Sequence, residues 1–343
     1  MKLKYTFIEI LRCMAICMVV LLHTVTGGLN ILDLSGHPET KNSLLLMMDL
    51  ITWCVPVFLI ISGYLFLDPD RHMTFFDSVR KYCRRIILAL FLFGVPYAFI
   101  ELVAVNMTFN WKMPGRAFLM VLRGESWSHL WYLYLILALY LITPALKRIL
   151  AILPLWCICL IMGLLLLFCS LCPYLNKRLG IDSIPVMPDQ GIYLFYYLSG
   201  YLFKIKDNKV SGTRSCKMPV IILAVIIGIL IADRLLLDNP LQMAYNYPPT
   251  AAIALLLFRA VQSGEIKWKE KNRKTIRHLS DMSFCIYLIH PVFLNLIYKV
   301  LHYDLYSMPL FPSILLLFGI TFTLSCFSAC ILRKIPLMRR YVC

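Results

Sequence analysis

The 343-residue chain is 60% hydrophobic and only 15% charged, with a mean hydropathy of +0.77. Soluble domains carry about a quarter charged residues, so the composition excludes that class and indicates a polytopic integral-membrane protein. A net charge of +16 would suggest a nucleic-acid partner in a soluble chain, but here the basic residues have first to be placed against the membrane spans.

A helix needs about 17–25 largely apolar residues to cross a bilayer. Such runs lie at 7–29, 44–67, 86–105, 129–146, 153–173, 187–203, 218–236, 249–264, 282–302 and 311–332. They predict an all-α membrane protein of about ten transmembrane helices, the sixth and eighth short and containing Gly or Pro. The first run reads as a span and not a cleavable leader, because it is long and carries Arg12 and His23 within it. With the N-terminus inside, the even-numbered loops and both tails hold 24 Lys and Arg residues against eight in the odd-numbered loops. That bias puts both termini in the cytoplasm and makes most of the basic excess topology, with no nucleic-acid footprint left over. The chain reads as one integral-membrane domain over 1–343, with the polar stretch 264–281 a basic cytoplasmic connector.

Within the first span, FIEILRCMAICMVVLLHT at 7–24, His23 follows Arg12 by eleven positions. At about 100° and 1.5 Å per residue, eleven steps bring the two side chains to nearly one face, roughly 16 Å apart along the axis. Ionisable groups are costly in hydrocarbon, so such a pair marks a functional site by default. A structural Arg12 that snorkels, or pairs with Glu9 three residues earlier, is the competing explanation. Asp49 in the second span lies at about the same depth as His23, counted from the extracytoplasmic ends. Consecutive helices joined by a short loop are usually neighbours, so Asp49 is placed to orient the His23 imidazole, with an Asp49 that faces the outer interface or another polar partner as the competing explanation. The loop DPDRHMTFFDSVRKYCRRI at 68–86 concentrates Arg71, Arg80, Lys81, Arg84 and Arg85. Positive-inside topology explains a few of these, and a clamp for a phosphorylated ligand explains them equally well. Glu101, Arg259, Asp281 and His290 complete the intramembrane polar set. His290 stands before Pro291 in MSFCIYLIHPVF at 282–293, and either serves the site or bonds the carbonyl that the proline frees.

Most of the thirteen cysteines fall in apolar spans, where Cys behaves as a small hydrophobe. Cys169 and Cys172 have the spacing of half a zinc site, but no second pair or nearby histidines complete it, so no metal is expected. No phosphate-binding loop, dinucleotide fingerprint, zincin or serine-hydrolase elbow occurs.

FIEILRCMAICMVVLLH at 7–23 resembles the first-helix motif of the acyltransferase-3 family of integral-membrane O-acyltransferases, with an acidic residue three before the arginine and ten residues between arginine and histidine. VPVFLIISGYLF at 55–66, HLWYLYLILALYLITPAL at 129–146, DQGIYLFYYLSGYLF at 189–203 and SFCIYLIHP at 283–291 resemble further family blocks in the family's order. The resemblance covers nearly the whole chain. It implies a ten-helix enzyme in a bacterial cytoplasmic membrane, with acyl-CoA (in the first instance acetyl-CoA) as donor and a hydroxyl of a surface or lipid-linked glycan as acceptor. It implies His23 as the catalytic residue, and small members of this length include those that acetylate lipid-linked polysaccharide units. Many relatives carry two arginines separated by two residues after the second helix, a spacing that only Lys81 and Arg84 approximate. Arg80, Lys81, Arg84 and Arg85 are therefore all candidates for the CoA phosphates. Arg12, deeper on the His23 face, would meet the donor's phosphate or carbonyl end. Acyl transfer needs a base and the exclusion of water, and imidazole in a helix bundle supplies both. A transporter or flippase using the same buried ionisable groups is the rival from another class.

Overall fold

The computed structural model describes residues 6–31, 37–209, 217–236, 241–264, 270–303 and 308–342, and no strand occurs among them. The helices are α1 Thr6–Ile31, α2 Pro38–Phe66, α3 Phe75–Asn106, α4 Met113–Arg123, α5 Ser128–Ile152, α6 Leu155–Leu179 and α7 Gly191–Lys209. They continue with α8 Lys217–Leu236, α9 Pro248–Ser263, α10 Glu270–Asn295, α11 Leu310–Leu332 and α12 Pro336–Tyr341.

Eight of the helices among the described residues are long and apolar enough to cross a membrane: α1, α2, α3, α5, α6, α8, α10 and α11. The protein is thus an all-α integral-membrane protein. The two runs flagged as short do form helices, α7 and α9, but they fall outside that set. At 16 residues, α9 is shorter than the ~20 that span hydrocarbon, and α7 carries Lys204, Lys206 and Asp207 in its last turns. Both are clad by protein: Tyr196 and Tyr197 on α7, and Ala254 and Phe258 on α9, have no exposed surface. The expected connector 264–281 is also revised. Residues 265–269 lie outside the described residues, and from Glu270 onward the segment is the opening of α10, since KNRKTIRHLSD contains no helix-breaking Gly or Pro.

Between helices in lipid the hydrophobic effect supplies no attraction, and small residues that allow close approach do. The sequence SGYLF occurs twice, at 62–66 in α2 and 199–203 in α7, and the two copies cross at their glycines. A Cβ on Gly63 would sit 1.8 Å from the Tyr197 carbonyl oxygen, and one on Gly200 2.3 Å from the Ile60 carbonyl oxygen. Below this crossing Lys204 pairs with Asp68 at 2.8 Å, and Lys147 donates to the carbonyls of Asp68 and Arg71. These bonds pin the segment that leads into α3. Its first turn is closed by a capping box in which the Thr74 hydroxyl accepts from Asp77 N at 3.1 Å and Asp77 accepts from Thr74 N. A π-helical stretch, Ser78–Cys83, follows at once. Against this frame α1 packs chiefly on α10 and on both halves of α2.

Candidate active site

Arg12 and His23 line one cavity of about 630 Å³, as their shared helical face requires. It occupies the end of the bundle where α1 and α3 begin and α11 ends. Four guanidinium groups reach it from four elements: Arg12, Arg71, Arg85 and Arg333. Arg71 is held by the Leu65 carbonyl at 3.0 Å and by the Tyr82 hydroxyl, and its guanidinium lies over the Phe66 ring at 4.8 Å. Arg85 donates to the Val342 carbonyl at 3.0 Å and lies 5.1 Å over the Phe284 ring. Among the described residues Arg333 has Asp281, at 3.9 Å, as its counter-ion. Among the described residues Arg12 has no ion pair, and Glu9 approaches Arg277 at 3.9 Å instead. Four cations that share one carboxylate leave the cavity suited to a polyanion.

The basic cluster therefore divides. Arg85 faces the cavity with Tyr82, three residues before it, whereas Arg80, Lys81 and Arg84 are exposed and do not line it. Adjacent helical positions point about 100° apart and positions four apart share a face, so Arg80 and Arg84 turn outward together. Arg71 from the same loop does enter, and Arg333 enters from the far end of the sequence.

A second cavity, of about 550 Å³, lies at the other end, where α1 finishes, α5 begins and α10 runs out. Its walls include Asn30, Glu101, Glu125, Ser126, Trp127, Asn295 and Lys299. Glu101 accepts from Trp127 Nε1 at 3.2 Å and approaches Lys299 at 3.6 Å, and Tyr97 stacks on Trp127 with ring centroids 4.2 Å apart. Two side chains line both cavities, His23 and His129. His23 thus sits at their junction, in a cluster of three imidazoles. Its ring centroid is 5.1 Å from His290 and 6.4 Å from His129, and those two are 5.9 Å apart.

His129 escaped the sequence reading. It opens a predicted span, where polar residues are ordinary, and a short 3-10 turn, Ser128–Leu130, tucks it inward until it is 4% exposed. Asp49 goes elsewhere than expected. One carboxylate oxygen accepts from Arg234 Nη2 at 2.5 Å and the other from Met243 N at 2.8 Å, and it lines neither cavity. Its depth matches that of His23, but it lies on the face of α2 that meets α8, so its partner is an arginine far along the chain. No group of side chains able to hold a metal ion occurs among the described residues.

The fold and the site define a helical membrane bundle with two cavities that meet at His23. The family model Acyl_transf_3, an acyltransferase domain, matches residues 5–330, and the chain belongs to that family. No curated protein and no solved structure matches it.

Proposed function

We propose that this membrane acyltransferase moves an acyl group, in the simplest case acetyl, from cytoplasmic acyl-CoA to a hydroxyl of a cell-surface or lipid-linked glycan. His23 is the general base and the site is that of a bacterial cytoplasmic membrane. The observation that supports this best is the position of His23 between a cation-lined cavity and a cavity walled by amides, carboxylates and serines.

Positive-inside topology assigns the cation-lined cavity to the cytoplasm. There Arg12, Arg71, Arg85 and Arg333 bind the phosphates of the donor, and its thioester extends toward His23. The acceptor enters from the opposite side, where Asn30, Glu125, Ser126 and Asn295 offer hydrogen bonds to sugar hydroxyls. His23 takes the hydroxyl proton as the oxygen attacks the thioester carbonyl carbon. The carbon–sulfur bond breaks, and the thiolate recovers the proton from the imidazolium to leave free CoA. Val55, Ile61, Phe66 and Ile136 in the donor wall keep out the water that would hydrolyse the thioester. Asp49 supports the bundle through Arg234 and takes no part in the chemistry.

The test is purified protein supplied with acyl-CoA and glycan acceptor, read as thiol release coupled to acylated product. The parent releases thiol, and His23→Ala at equal membrane abundance releases none. Equal activity of the two proteins refutes the assignment, and movement of a substrate across the bilayer without thiol release favours a transporter.

A further inference from the structure

His290 is wholly buried and lines neither cavity. It cannot touch donor or acceptor, so any part it plays passes through a neighbour. Its Nδ1 lies 3.1 Å from the Ile286 carbonyl oxygen. A carbonyl only accepts, so Nδ1 carries the hydrogen and Nε2 carries a lone pair. That Nε2 is buried with no hydrogen-bond partner. A lone pair kept from water and from any donor costs about 1–3 kcal/mol, which calls for an explanation in a helix otherwise free to place Leu there. The nearest imidazole is that of His23, at 5.1 Å between centroids. Two imidazoles joined by one N–H···N bond have centroids about 5 Å apart, so a rotation of the His23 ring closes the bond, and hydrogen bonds of this kind tighten when substrate arrives.

We propose that His290 is the positioning residue of His23: its Nε2 accepts the single ring N–H of neutral His23, fixing the tautomer and turning the other ring nitrogen, bare, toward the cavity junction. The proposal rests on His23 being the base. His290 takes the role that a carboxylate fills in serine-hydrolase triads, with a neutral acceptor in place of an anion. Among the described residues, no ion pair joins a carboxylate to either ring of the pair, which is consistent with a neutral acceptor. Tyr287 on α10 faces His290 and His129, Tyr97 on α3 and Trp127 face His129, and the carboxylate of Glu101 is engaged by Trp127 and Lys299. In the transition state His23 becomes an imidazolium, and the bond to His290 strengthens as that charge develops, which is the condition for it to raise kcat.

Two variants test the proposal. His290→Phe keeps the ring and removes the acceptor, whereas His290→Gln returns a polar acceptor near the Nε2 position. His290→Phe is expected to lower kcat by about 10–100-fold with the donor KM within about twofold and to shift the pH–rate profile, and His290→Gln to recover about tenfold of the loss. A second readout needs no activity. In histidine-15N-labelled protein in bilayers, the His23 signals are those missing from His23→Ala, and they are expected to move to a different tautomer mixture in His290→Phe. Unmoved His23 signals overturn the proposal, as does a His290→Phe enzyme with parental kcat or a loss that Gln does not recover. A parent that releases no thiol, or an active His23→Ala, instead overturns the general-base function of His23, which the spectra distinguish from failure of the bond itself.

Discussion

Replacing Asp49 with Asn removes one charge from a pair that the bundle has sealed off. The side chains of Arg234 and Asp49 are 3% and 4% exposed, with a nitrogen–oxygen separation of 2.5 Å. Breaking such a pair from one side leaves an uncompensated buried cation and costs about 3–5 kcal/mol. Asparagine's amide turns a second donor toward Arg234, but its carbonyl oxygen still accepts from Met243 N, so the lower figure of ~3 kcal/mol applies, roughly a hundredfold in the folding equilibrium. Denaturant titration of the protein in bilayer mimetics measures this directly. The double variant Asp49→Leu, Arg234→Met removes both charges and is expected to recover all but about 1–3 kcal/mol, the cost of leaving Met243 N without an acceptor. Turnover per folded molecule is expected to stay within about twofold in both, since Asp49 is bonded to Arg234 and Met243 N and lines neither cavity. A tenfold fall in kcat for Asp49→Asn at parental stability would refute this reasoning and restore the dyad with His23.

Arg85→Gln and Arg333→Gln are each expected to raise the donor KM by about 10-fold or more with little change in kcat, the signature of lost ground-state phosphate binding, whereas Arg84→Gln stays within about twofold; donor titration of the three variants separates them. Arg12→Gln is expected to raise the donor KM and also lower kcat, because Arg12 lines the same cavity as His23 and, in the proposed mechanism, meets the reacting end of the donor; steady-state kinetics over donor concentration reads both effects. Gly63→Val is expected to abolish the folded state, as its Cβ alone would fall 1.8 Å from the Tyr197 carbonyl oxygen; Gly228→Val, where nothing lies within 4 Å, is the matched control, and the yield of monodisperse detergent-solubilised protein distinguishes them.

The spans were legible in the sequence because hydropathy is a local property and each of the eight helices carries its own apolar window long enough to cross a membrane. α7 and α9 were harder for the same reason inverted: surrounded by other helices, they need neither twenty apolar residues nor freedom from charge. The opening of α10 was hidden too, since a charged surface helix and a polar loop share a composition. The Arg12 and His23 stripe was legible because one helix fixes both the spacing and the face. What a single helix does not fix is its rotation about its own axis relative to a neighbour. Counting residues gave Asp49 its depth, but only the packed bundle turns it toward Arg234, which arrives on α8, 185 positions further along the chain.

The cations that line the cavity of Arg12 and His23 show a different obstacle. Each of Arg12, Arg71, Arg85 and Arg333 stands near the end of a span on the side that positive-inside topology already fills with basic residues. Topology and phosphate binding therefore draw on the same residue types at the same depth, and no count of charges separates them. The separation is angular. Arg84 and Arg85 are neighbours in sequence, equal in charge and nearly equal in depth, yet only Arg85 has its guanidinium in the cavity. One residue of offset at the end of a π-helical stretch decides which arginine lines the cavity and which is exposed outside it, so a shift of register there would exchange their places without altering the composition of the loop at all.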